Sequence, residues 1–114
     1  MNVLEATIAH LSASLGVPAS SNVPAKRPGA FVTVERGGGS VTQVDDEAQL
    51  TVQVWDRDRL EIEGFADRAC DALLCMPHAV RGVMSVKVEK TYYPEQVDGY
   101  WPRYVVSATV YCSR

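Results

Sequence analysis

A chain of 114 residues, 46% hydrophobic and 22% charged, has the length and balance of one soluble globular domain, with room for one core and not two. A formal net charge of −3 argues against a non-specific nucleic-acid binder, which needs a basic surface to displace counterions. No apolar run approaches the ~20 residues of a membrane-spanning helix, and the N-terminal segment, interrupted by Glu5 and His10, does not read as a signal peptide.

Asn2, with Glu5 three residues on, has the form of a helix-opening capping box. Leu4, Ile8, Leu11 and Leu15 then follow at helical spacing and give one apolar stripe. Gly16 suits the position after a helix, and Pro18 stands just beyond it. Val17 to Gly29 carries three prolines and no period, so it reads as an extended connector crossing the domain. Ala30 to Arg36 is a predicted strand, with Val32 and Val34 on one side and Phe31, Thr33 and Glu35 on the other. Gly37-Gly38-Gly39-Ser40 reads as a flexible turn, and Val41 to Asp46 as a hairpin arm or loose loop before a strand beginning near Glu47.

From Leu50 to Met76 the period changes. Leu50, Val52 and Val54 alternate with Thr51, Gln53 and Trp55, the repeat of a strand with one buried face. Beyond Asp58 the apolar positions are Ile62, Phe65, Ala66, Ala69, Leu73 and Met76, the repeat of an amphipathic helix. Asp58 and Glu61 form a second candidate capping box, and Pro77 is expected to end the helix. Such a helix, about 28 Å long, would cover a small sheet from end to end. A strand from Gly82 to Lys90 follows, with Met84, Val86 and Val88 on one face. Thr91 to Pro102 is a long aromatic loop, and a last strand from Arg103 to Cys112 aligns Tyr104, Val106, Ala108, Val110 and Cys112.

The order α-β-β-α-β-β predicts an α+β two-layer sandwich: a four-stranded, mainly antiparallel sheet with both helices on its valine-rich face. The opposite face is polar except for Phe31, Trp55, Val105 and Tyr111. Aromatics there need cover, either from a neighbouring subunit or from the proline-rich connector. The loop from Tyr92 to Trp101 poses the same choice between folding onto its own domain and presenting a surface to another protein.

Catalytic readings find little support. The triple glycine is followed by neither Gly-Lys-Ser/Thr nor a helix, so it is no phosphate cradle. Cys75 with His78 or His10 is a conceivable nucleophile pair, but Cys75 falls near a helix C-terminus, where the dipole disfavours a thiolate. Cys70, Cys75 and Cys112 have no zinc-type spacing and read as small apolar residues in a reducing compartment, a cytoplasm. Asp45-Asp46-Glu47 is an acidic triplet expected to be solvated. Asp56-Arg57-Asp58-Arg59 is expected to cap its helix, with an inter-subunit ion pair as the sharper alternative. Lys26 and Arg27 are too few for a nucleic-acid footprint.

Three stretches carry a resemblance: V-P-A-K-R-P-G-A-F-V-T-V-E-R-G-G-G at Val23 to Gly39, L-T-V-Q-V-W at Leu50 to Trp55 leading to A-D-R-A at Ala66 to Ala69, and P-R-Y-V-V-S-A-T-V at Pro102 to Val110. In order, length and texture, over almost the whole chain, it resembles the small tail terminator (tail completion, head-tail joining) proteins of long-tailed bacteriophages, particularly those of actinobacteria. The resemblance implies a non-enzymatic virion protein without cofactor or metal. Such a protein assembles in the host cytoplasm as a ring, usually a homohexamer, at the junction of tail and neck. It caps the tail tube protein, ends tube polymerisation and offers a surface to the head-tail connector protein, while DNA passes through the lumen without sequence-specific contact.

A head-to-tail ring needs two different complementary patches. The candidates are Phe31, Trp55 and Tyr111 on the open sheet face, Tyr92, Tyr93, Tyr100 and Trp101 in the late loop, Arg57 and Asp58, and the arm with Gly37, Gly38, Gly39, Val41 and Val44. Glu35 and Glu89 would suit a lumen that must not grip phosphate. The alternatives are another neck, head-completion or tube-like virion subunit, or, in a different class, a small regulatory α+β module that binds a ligand in a concave pocket.

Overall fold

The structure, a computed structural model, describes residues 1–95 and 101–114. Helix α1 (Val3–Leu15) starts where Asn2 Oδ1 accepts a hydrogen bond from the Glu5 amide at 3.0 Å. It ends at Gly16, whose φ of 67° is the left-handed conformation that lets its amide return to the Ser12 carbonyl. The connector then forms a strand of its own, β1 (Ala19–Ser20), which runs parallel to Val32 and Thr33. The Pro18 carbonyl accepts from the Val32 amide at 2.9 Å. The sheet is therefore five-stranded rather than four-stranded, in the order β1, Ala30–Val41 (β2), Asp45–Asp56 (β3), Arg103–Ser113 (β5) and Val83–Tyr92 (β4).

Strands β2 (Ala30–Val41) and β3 (Asp45–Asp56) form one long antiparallel hairpin. Its turn lies at Thr42–Val44, where Thr42 Oγ1 accepts from the Asp45 amide at 2.9 Å. The triple glycine, expected as the turn, instead lies within β2. Arg36 pairs with Leu50 and Gly38 with Gln49, so Gly37 is an unpaired bulge residue. Two residues on, at Gly39, glycine is required because the chains nearly touch: a Cβ would sit 1.8 Å from the Glu47 carbonyl oxygen.

After β3 the chain does not enter the helix at Asp58. Asp58 Oδ1 accepts from the Leu60 amide at 2.9 Å, forming a tight local turn, and α2 runs from Ile62 to Leu74. Pro77 does not stop the chain from coiling either. It occupies the first turn of a short helix, α3 (Met76–Ala79), where no N–H is needed.

Strands β4 (Val83–Tyr92) and β5 (Arg103–Ser113) complete the sheet. In β4 the register shifts between Val83 and Ser85 and again between Val88 and Lys90, so Met84 is turned outward, 54% exposed, instead of joining Val86 and Val88. Both long helices cover one sheet face. Leu11, Phe65, Leu73 and Met76 meet Val32, Val34, Val52, Val54, Val106 and Val110, all buried. Each such side chain contributes about 1.5–3 kcal/mol relative to exposure. The molecule measures 44 × 24 × 24 Å, and β3 alone spans about 36 Å of that length.

Candidate functional site

At one end of the open sheet face, Phe31, Trp55 and Trp101 come together with three guanidiniums. The Phe31 and Trp55 rings stack 5.4 Å apart, and Trp101 tilts onto Phe31 at 5.9 Å. Trp55 Nε1 donates to Thr33 Oγ1 at 3.1 Å. Arg103 lies 5.4 Å from the Trp55 centroid and donates to Gln53 Oε1, while Arg57 and Arg27 lie 5.2 and 5.9 Å from that of Trp101. Phe31 and Trp55 are 1% and 2% exposed within a single subunit. Of the two covers expected for them, a neighbouring subunit or the proline-rich connector, an intramolecular one is present: Trp101 packs on Phe31, with the connector's Arg27 over its ring. Val105 is buried too, and Tyr111 is half-buried.

The opposite end is the hairpin tip. Val41 and Val44 are 51% and 68% exposed. Below them the two strands are clamped by Arg36, whose guanidinium donates to both Asp46 carboxylate oxygens at 2.7 and 3.1 Å. The guanidinium hydrogen bond holds the Asp46 carboxyl below the usual range, against the opposing effect of burial. Asp46 is therefore committed to Arg36 rather than solvated with Asp45 and Glu47. Arg114 donates to the Thr42 carbonyl at 3.0 Å, tying the C-terminus to the turn.

Between these ends the face is mixed. Glu35 and Glu89 stand exposed there, but so do Lys87 and Lys90, so the surface is not uniformly acidic. Glu89 accepts a hydrogen bond from the Thr109 hydroxyl, and Lys90 lies over the Tyr92 ring at 4.9 Å. The nearby Glu47 carboxylate, first among several causes, raises the Tyr111 phenol above its ordinary value.

The remaining expected residues among those described lie toward the aromatic end. Tyr92 and Tyr93 are 40% and 41% exposed, and Tyr93 packs on Tyr104 with ring centroids 6.0 Å apart. Tyr100 lies outside the described residues. Arg57 and Asp58 are exposed, and the turn Asp58 makes holds Leu60 out in solvent, 89% exposed. Sequence reasoning missed Leu60, Arg103 and the role of Arg27. The first owes its exposure to the displaced helix start, and the arginines reach the tryptophans only through the tertiary fold.

The cysteine–histidine pairing finds no geometric support. Cys75 is exposed beside Ser14, Leu15, Arg68, Asp71 and Ala72, in an open hollow that His78 does not line. His10 donates from Nε2 to the Ala72 carbonyl at 2.6 Å. Among the described residues, no group of three or more His, Cys, Asp or Glu is placed to hold a metal ion. No helix among them is long and apolar enough to cross a membrane.

No protein-family model matches the chain, and no curated protein sequence matches it. Its fold is similar, with a TM-score of 0.70 over 98% of this chain and 95% of the other, to a solved chain described as from the virion of a native gene transfer agent particle. The two are 14% identical, so what they share is the fold.

Proposed function

We propose that the chain is a structural virion subunit: a tail terminator that forms a ring, six-fold in the family it resembles, on the end of the tail tube. It stops tube growth there, offers the head-tail connector a surface, and lets DNA pass through its lumen without sequence-specific contact. In this role the protein is not an enzyme. The observation that carries the reading is the full-length fold likeness to a virion chain, 98% of this chain against 95% of that one. The resemblance of Val23–Gly39, Leu50–Trp55 and Pro102–Val110 to tail terminators supplies the finer assignment. Two chemically different ends, one aromatic and guanidinium-rich and one an exposed hairpin, are what head-to-tail closure asks of a subunit.

Purified protein mixed with tail tubes and imaged in negative stain tests the assignment. Rings confined to one tube end, with tube length held fixed, support it. Binding to DNA-filled heads but not to tubes reassigns the chain to another neck or head-completion station. A stable dimer that ignores both particles points to the regulatory-module alternative.

A further inference from the structure

We infer that the arginine–tryptophan end of one subunit is the socket for the hairpin tip of the next copy, an assignment that rests on the ring reading above and names its two patches. Arg57 and Arg103 are held against tryptophan faces, which fixes the guanidinium planes and leaves their positive charge in place. Among the described residues, the side chain that accepts a hydrogen bond from Arg103 is the neutral carboxamide of Gln53. A guanidinium stacked in this way is a pre-ordered receptor for a carboxylate.

The acidic counterpart lies on the same molecule, at the far end of its 44 Å axis. Val41 pairs with Asp46 at the tip, whereas Ala30 pairs with Asp56 and the Arg57 amide reaches the Gly29 carbonyl at the socket end. No subunit can therefore insert its tip into its own socket; a second copy can. Asp46 is already paired with Arg36, so the carboxylate offered outward is that of exposed Asp45, with half-buried Glu47 behind it. The tip also has an apolar component in Val41 and Val44, and the socket has one in half-buried Trp101. Charge meets opposite charge and apolar meets apolar in one direction only, the heterologous arrangement that closes a ring.

The test uses two single substitutions at exposed positions, Arg57→Glu and Asp45→Arg, with circular dichroism confirming the fold and sedimentation velocity reading assembly. The expected result is wild-type association that weakens with added salt, and at least about tenfold weaker association for each variant alone. An equimolar mixture of the two should regain assembly, because its contacts alternate the native pair with the exchanged pair. Variants that assemble as well as wild type, or a mixture that stays dissociated, overturn the inference and leave the ring reading standing. Wild type that remains monomeric up to about 1 mM also overturns it. The ring reading is then judged separately, by imaging on tube ends.

Discussion

The indole of Trp55 lies flat on the ring of Phe31, with 8° between the planes, and Thr33 receives its N–H. Both rings are shielded within one subunit, so this stack belongs to folding before it belongs to assembly. Trp55→Ala should lower stability by about 3–5 kcal/mol, the cost of emptying a buried aromatic site. Trp101, only half-buried and packed on Phe31 beneath two guanidiniums, should cost about 1–2 kcal/mol on truncation. Chemical denaturation of the two variants measures the contrast. Equal, small losses would show that the stack is not a core.

Gly39 carries a second contrast. Its φ of 129° is poorly suited to any side chain, and an added methyl would collide with the Glu47 carbonyl across the hairpin. Gly39→Ala should therefore cost about 3 kcal/mol or more, by strain and by separating the strands. For a Cβ on the neighbouring bulge residue, Gly37, the nearest atom is the Gln49 carbonyl oxygen at 3.9 Å. Gly37→Ala should stay within about 1 kcal/mol of wild type. Thermal unfolding of both variants decides whether the glycine run is a strand bulge, as observed, or a plain turn, in which the two would behave alike.

That glycine run shows where sequence reasoning stops. Periodicity alone is enough to recognise α1, the strand through Leu50–Trp55, the helix around Phe65–Leu73 and the last strand, because each buries one face for several repeats. A strand of two residues, Ala19–Ser20, has no period to read and exists only because β2 is beside it. Glycines signal permissiveness without saying whether the partner chain turns back or runs alongside, so the glycine run predicts a hairpin turn several residues before the observed one at Thr42–Val44. Met84 keeps the alternation of its neighbours in the sequence, yet one bulge reverses it. The guanidinium–tryptophan end is assembled from residues 27, 57, 101 and 103, whose adjacency no local pattern encodes.

The clamp between Arg36 and Asp46 gives stability a defined dependence on acid. The guanidinium lowers the Asp46 carboxyl from its ordinary value of 3.8 and is itself raised by the same bond. A carboxyl with a folded-state value below its unfolded one contributes fully above the ordinary value. That contribution is lost as pH falls from there through the lowered value. Asp46→Asn should remove about 1.5 kcal/mol near neutral pH and flatten the acid limb of the stability curve. Urea titrations between pH 2 and 7 follow both effects. An unchanged acid limb in Asp46→Asn would mean that other carboxylates govern acid unfolding.

Thiol reactivity reports on the seam between hairpin and last strand. Cys75 is exposed, Cys70 half-buried and Cys112 buried between Val83 and Asp46 in the sheet. Burial, followed by neighbouring carboxylates, pushes the Cys70 and Cys112 thiols upward, which keeps them protonated and slow. The Cys112 thiol also donates to the Asp46 carbonyl at 3.6 Å, so reaching it requires β3 and β5 to part. Alkylation of the native protein at pH 8, followed by mass spectrometry, should label Cys75 first, Cys70 later and Cys112 only with unfolding. In the Asp46→Asn variant, Cys112 should be labelled earlier than in wild type while Cys75 keeps its rate, because weakening the clamp opens this seam and leaves the helical end untouched. Simultaneous labelling of Cys75 and Cys112 in the native protein would place the weak point of the sheet here instead of at its edges.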